Sequence, residues 1–258
     1  MSKGKVNLNR VVFLLGGQDL EMKEIEKILQ VNGISYYDKG LSWGAKLSAY
    51  QDLFDDVHHF VAVELAEDCE PPRNYTVIDH HNERAHLPAS IEQAAQLIGV
   101  QLTRFQHLVA ANDKAFIPGM IKAGASQDEI DEVRRMDRQA QGVTKEDEWL
   151  AEKSIVENMT QKGDLRIVES KTPRFSPITD RLYPFDKLLI FHKSHLVYYG
   201  KGAAGLAKNY KELIKKHQAF SGGGAEGFFG IAADAYSQKE FNQIKSNIIN
   251  QTSTLLST

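Results

Sequence analysis

The sequence predicts an α/β protein: a doubly wound, mostly parallel sheet domain followed by a smaller α/β domain, with an active cleft between them. Three observations predict it. Short apolar runs bounded by turn residues recur through the first half of the chain, as at Val11 to Leu15, and such runs suit parallel strands buried on both faces. Segments of helical apolar spacing lie between them. A second series of strand-like runs begins at Asp164, after a highly charged stretch.

The first run, 11–15, ends at Gly16-Gly17, and a helix follows through Ile25, Ile28 and Leu29. Further strands are expected at 60–65 and 75–78. Ser90 with Gln93 reads as a capping box opening a helix through Ala94, Ala95, Leu97 and Ile98, because a hydroxyl there would satisfy a free backbone N–H. Another helix is expected over 103–111. Residues 126–159 are rich in charge, with capping signals at Ser126/Glu129 and Thr144, and read as solvated helices. Beyond Gly163, strands are expected at 165–168, 188–191 and 196–199, and a helix at 206–217. The glycine-rich run from Ser221 to Gly224 then precedes apolar residues 228–233, and a last helix opens at Ser237 with Glu240. The expected domains are 1–125, a charged helical connector 126–163, and 164–258.

Composition narrows the function. The chain has 258 residues, 42% hydrophobic and 25% charged, ordinary for a globular protein. A net charge of -3 supplies no global field for long duplex nucleic acid. The single cysteine, Cys69, can form no internal disulfide, and no apolar run approaches the roughly 20 residues that span a bilayer. A cytoplasmic protein without membrane association is expected. Oligomeric state leaves no trace in the sequence.

Parallel sheets bind ligands outside the carboxyl ends of their strands. Asp19 and Glu21 follow the first strand, Glu64 ends the second, Asp79-His80-His81-Asn82 follows the third, and Asn112-Asp113 follows the later helix. Carboxylates gathered at one edge repel one another unless protons or cations intervene. A mixed oxygen and nitrogen set suits a divalent ion such as Mn²⁺, and a carboxylate shared by two ions would give a two-metal phosphoryl-transfer site.

Ile78-Asp79-His80-His81-Asn82 resembles the signature of the DHH phosphoesterases, which include RecJ-type nucleases, oligoribonucleases, cyclic-dinucleotide phosphodiesterases and manganese pyrophosphatases. The resemblance covers most of the chain. Asp19-x-Glu21 fills the acidic pair of the family's first motif, Glu64 the second motif, and Asp113 with Phe116 the fourth. Gly222 to Gly230 keeps the register of the family's C-terminal glycine loop. The resemblance implies one or two Mn ions, with Mg as the alternative. One ion would fall to Asp19 and Glu64, a second to Glu21, Glu64, His80 and Asp113, with Glu64 bridging. It further implies that Asp79 orients a histidine, that His81 faces the scissile phosphate, and that a metal-activated water attacks it. Backbone N–H groups of Gly222, Gly223 and Gly224 would approach the substrate, with Lys201 as a phosphate partner. The expected substrate is a nucleotide, short oligonucleotide or related phosphodiester.

Four positions depart from the family pattern. Leu15 stands where the first motif has histidine, Glu21 and Glu64 where it has aspartate, and Ala225 where the glycine loop has histidine. Leu15 would point toward the missing coordination position, leaving two unequal sites, and His58, His59 or His107 would be the replacement ligands to look for. These departures define the alternative, a catalytically weakened or inactive nucleotide-binding relative. A third class, a scaffold docking through the charged helices, rests on residues 126–159 alone.

Overall fold

The structure is a computed structural model describing residues 8–42, 44–216, 218–223, 227–232 and 235–253, with the backbone alone at Asn82. The chain divides into two compact units, 1–142 and 143–258. No described helix is long and apolar enough to cross a membrane.

In the first unit, β1 (Val11–Leu15), β2 (Ser35–Asp38), β3 (His59–Val63) and β4 (Tyr75–Ile78) form an all-parallel sheet in the order β2-β1-β3-β4. Every residue of β1 is buried, and strand alternation sends its side chains to two different cores. Val11, Phe13 and Leu15 pack against Met22, Ile25 and Leu29 of α1 (Leu20–Val31) and Ile91 and Ala94 of α2 (Ser90–Ile98). Val12 and Leu14 pack the other way, with Phe60, Leu47 and Tyr50. Because the strands are parallel, their carboxyl ends share one edge, and it carries Asp19, Glu64 and Asp79 to His81.

Two helices complete this unit. The longer, α3 (Arg104–Lys122), is capped by Thr103, whose hydroxyl accepts from Gln106 N. It is broken at Ala115 and Phe116, whose φ/ψ of -152°/24° and 54°/-149° are not helical. Pro118 explains the break: it cannot donate to the Lys114 carbonyl and its ring would collide with it. Asp113, expected after a helix, therefore sits at the end of the first helical segment. The other helix, α4 (Gln127–Ala140), is capped at Ser126 as expected.

The second unit opens with α5 (Lys145–Asn158), capped by Thr144. Its mixed sheet has the order β5-β6-β7-β8-β10-β9, comprising β5 (Met159–Lys162), β6 (Leu165–Glu169), β7 (Lys187–His192), β8 (His195–Gly200), β9 (Ala219–Gly222) and β10 (Phe228–Ile231). Only β6 and β7 pair in parallel; the other neighbours are antiparallel. One face packs on α5 and α6 (Ser176–Leu182) through Val168, Leu188 and Ile190. The other packs on α7 (Ala203–Asn209) and α9 (Gln238–Ser253) through Leu189, Tyr198 and Phe229. The single helix expected over 206–217 is two short ones, α7 and α8 (Lys211–Lys215), separated at Tyr210, and His217 lies outside the described residues. Gly163 occupies the turn of the β5–β6 hairpin at φ 63°.

Candidate metal centre

Each strand end places its polar residue by a local device. Asp19 is the N-cap of α1, and its Oδ1 accepts from Met22 N at 2.8 Å. Glu21 follows in the first turn, 2% exposed, with Oε1 accepting from Ile91 N at 3.1 Å. Glu64 leaves β3 at φ 54°, a left-handed conformation that costs a non-glycine residue about 1–2 kcal/mol. Gly16 lies so close beside it that a Cβ there would fall 2.4 Å from the Val63 carbonyl oxygen and 2.5 Å from that of Glu64.

These devices converge on His80, which is 5% exposed. Its Nε2 lies 2.6 Å from Asp113 Oδ2, 3.5 Å from Glu21 Oε2 and 3.5 Å from Glu64 Oε1. Glu64, His80, His81 and Asp113 each offer a donor atom within 4.8 Å of the others. Yet Glu21 Oε2, His80 Nε2 and Asp113 Oδ2 are buried without a partner of hydrogen-bonding geometry. Buried polar atoms are normally paired, so three orphaned donor atoms crowded around one point fit a cation in their midst. Oxygen and imidazole nitrogen donors match Mn²⁺ or a similar divalent ion.

The protonation pattern describes the same crowding. Burial, with the charges of Asp113 and Glu64 next in weight, pushes the Asp19 carboxyl up to about 8. Burial and Asp113 push Glu21 well above the carboxylate range. Asp113 is also raised, by burial, against the opposing contact with His80. Burial would raise Glu64 too, but His80, His81 and Ser90 hold it below its ordinary value. For His80, burial alone would favour the neutral ring, but Asp113, Glu21 and Glu64 outweigh it and push the imidazole up to about 12. In the metal-free protein the His80 proton supplies the positive charge that the carboxylates require.

Asp79 and His81 form the rim. His81 Nδ1 lies 2.9 Å from Asp79 Oδ1, which also accepts from His81 N, and the His81 side chain is 46% exposed. The contact with Asp79 raises His81. Asp79 is lowered: its burial acts upward, but His81 overcomes it. The His80 and His81 rings lie 4.4 Å apart.

Other expectations fall elsewhere. Leu15 is fully buried in the apolar cluster with Met22, Val63 and Ile78. None of the three further histidines joins the centre. His58 pairs with Asp55 and His59 contacts Thr76, both at the amino end of β3, while His107 lines a surface groove with Glu92 and Leu102. Lys201 lies in the second unit, exposed and 3.1 Å from Asp186. Gly222 ends β9 and pairs with Phe228, Gly223 follows at φ 73°, and Gly200 N bonds to Gly227 O, so Lys201 and the glycine turn share one end of that sheet. Gly224 and Ala225 lie outside the described residues.

Some contributors were not read from the sequence. Ser90, expected as an N-cap, is the first helical residue; the cap is Ala89, whose N–H bonds to Glu92 Oε2. The Ser90 hydroxyl instead donates to Glu64 Oε1 at 2.7 Å. Gln93 Nε2 donates to Asp79 O at 3.0 Å, tying down the loop that carries both histidines. Polar residues at a helix start read first as caps, and only the tertiary contacts show these duties.

No family description and no curated protein matches this chain. Solved structures do. The DHH domain of a member of the s1p family of ribosomal proteins aligns at 12% identity with a TM-score of 0.56, covering 96% of this chain and 88% of that one. The pGpG-specific phosphodiesterase PggH from Vibrio cholerae aligns at 13% identity and TM-score 0.44, covering 95% and 98%. RecJ from Thermus thermophilus, solved with Mn²⁺, aligns at 9% identity and TM-score 0.46, covering 96% of this chain and 52% of RecJ. The first of these alignments establishes the DHH fold. The α/β class and the resemblance read from the sequence both hold at that level.

Proposed function

We propose that this DHH-fold chain is a metal-dependent phosphodiesterase acting on a nucleotide, short oligonucleotide or related phosphodiester. The observation that carries the proposal is the convergence of Glu21, Glu64 and Asp113 on His80, with donor atoms left orphaned in a buried pocket of charge. Glu21, Glu64, His80 and Asp113 would hold a divalent ion, with Asp19 beside them and Mn²⁺ as the expected metal. Bound there, such an ion supplies Lewis-acid charge that favours ionised water and neutralises phosphate.

The chain's own residues do the rest. Asp79 fixes the His81 ring by holding Nδ1–H, which leaves Nε2 available to a substrate. The contact with Asp79, which raises the His81 pKa, favours the protonated ring, and a proton at Nε2 would be offered to a phosphate oxygen or the leaving alkoxide. The Ser90 hydroxyl, donating to Glu64 Oε1, holds the Glu64 carboxylate among the proposed ligands. Lys201, Gly222 and Gly223 are proposed to bind the remainder of the substrate, since backbone N–H groups unobstructed by side chains suit a phosphate.

One observation favours a second reading, a ligand-binding relative with weakened catalysis. Leu15 offers no donor, and no other described histidine replaces it. His80→Ala tests the primary reading. The folded variant should lose bound Mn²⁺ by elemental analysis and lose Mn²⁺-dependent hydrolysis of short oligonucleotides. A variant that keeps its metal refutes the ligand assignment; a wild type that binds Mn²⁺ but hydrolyses no phosphodiester supports the second reading.

A further inference from the structure

Arg134 and Asp137 lie on α4, a helix otherwise strongly polar, yet they are only 7% and 5% exposed. Burying an ion pair costs desolvation that its mutual attraction alone seldom repays. The other ends of these contacts therefore matter. Arg134 Nη1 lies 2.7 Å from Asp137 Oδ2 and donates to Asn112 Oδ1 at 3.0 Å. The same guanidinium stacks over the Phe116 ring, 4.5 Å from its centroid. Asp137 Oδ1 accepts from Leu20 N at 3.3 Å, one of the N–H groups left free at the start of α1.

Each contact ends beside a residue of the metal centre. Asn112 precedes Asp113, and Phe116 is one of the two non-helical residues of the α3 break just beyond it. Leu20 stands between Asp19 and Glu21. We propose that Arg134 and Asp137 are positioning residues. They clamp the broken α3 on both sides of Asp113 and tie it to the first turn of α1, fixing the spacing between Asp113 and the Asp19/Glu21 pair. The inference rests on the metal-centre reading and extends it to residues on a neighbouring helix, α4. Partners that orient metal ligands commonly matter tenfold or more to affinity, and here the orientation passes through a shared framework.

The test measures Mn²⁺ binding to the full chain by calorimetry, and the electron paramagnetic resonance line shape of bound Mn²⁺, for wild type, Arg134→Gln, Arg134→Lys and Val133→Ala. Arg134→Gln should bind Mn²⁺ about tenfold more weakly with an altered line shape. Arg134→Lys should fall between, keeping the charge but losing the planar fork and the stacking. Val133→Ala, a core change on the same helix, should lower thermal stability while keeping wild-type Mn²⁺ binding. Wild-type affinity and line shape in folded Arg134→Gln overturn the inference. So does equal weakening in Val133→Ala, because the loss would then follow helix stability alone. If Arg134→Gln does not fold, Asn112→Ala, which cuts a single bond of the clamp, is judged by the same outcomes. Wild-type protein that binds no divalent ion overturns the metal reading itself, a result distinct from unperturbed binding in the variants.

Discussion

Glu64 holds a left-handed backbone that glycine would adopt freely, and its surroundings leave it no other. Its N–H bonds to Ile78 O at 2.9 Å, Ser90 holds its carboxylate, and Gly16 presses against its carbonyl. Strain of this kind persists only where neighbours over-determine it. Gly16→Ala should therefore displace Glu64, lowering both the melting temperature and the Mn²⁺ affinity; a folded variant with wild-type Mn²⁺ affinity by calorimetry would show that the close approach is not needed. The titrating residues make a second prediction. Asp19 is raised from 3.8 to about 8 and His80 from 6.5 to about 12, so across neutral pH the metal-free folded chain binds more protons than the unfolded chain. Stability then falls as pH rises. The Asp19 contribution is complete below its unfolded value and is lost as pH passes about 8; that of His80 persists further, until about 12. Metal-free protein should thus melt at a lower temperature at about pH 8 than at about pH 6, while Mn²⁺, which must displace these protons, should bind more tightly at the higher pH. Thermal scans and calorimetry at the two values check both signs, and a metal-free melting temperature that rises with pH would count against the assignment.

At the scale of elements, the strands escaping a sequence reading were the edge strands β2, β5 and β9. β2 is a half-exposed edge strand, and β5 is exposed along its whole length. With little apolar surface to bury, neither carries a periodic signal. By contrast β1 is buried throughout and legible at once. The β9–β10 hairpin shows why its glycines are present. A Cβ on Gly227 would lie 1.8 Å from the Gly222 carbonyl oxygen and 2.5 Å from the Gly223 carbonyl carbon. Gly227→Ala should force this turn open and lower the thermal stability of the second unit, visible as an earlier unfolding transition. An unchanged transition would mean that the turn relaxes at no cost.

For the whole molecule, all the proposed metal donors belong to the first unit, and Lys201 and the glycine turn to the second. Metal binding and binding of the rest of the substrate should then separate by mutation. Lys201→Ala and Gly223→Val should leave Mn²⁺ affinity unchanged while weakening binding of short oligonucleotides. Calorimetric titration with Mn²⁺ and with a dinucleotide checks the two halves independently. Lost Mn²⁺ affinity in either variant would contradict the separation, and unchanged dinucleotide binding in both would remove the substrate role of the second unit.

The primary structure alone specified the α/β class, three parallel strands, the helix starts at Ser126 and Thr144, and the acidic and histidine residues at one sheet edge. Those features are local: apolar runs, capping hydroxyls and residues just beyond a strand are set by neighbours in the chain. Tertiary structure decided how the residues are used. Ser90 was free to cap a helix until folding brought Glu64 within 2.7 Å. Leu15, four residues before Asp19, was packed by strand alternation into the cluster with Met22, Val63 and Ile78. Arg134 and Asp137 read as surface charges on a polar helix until α4 packed against α1 and α3. Contacts between residues distant in sequence depend on packing direction, which local pattern does not encode.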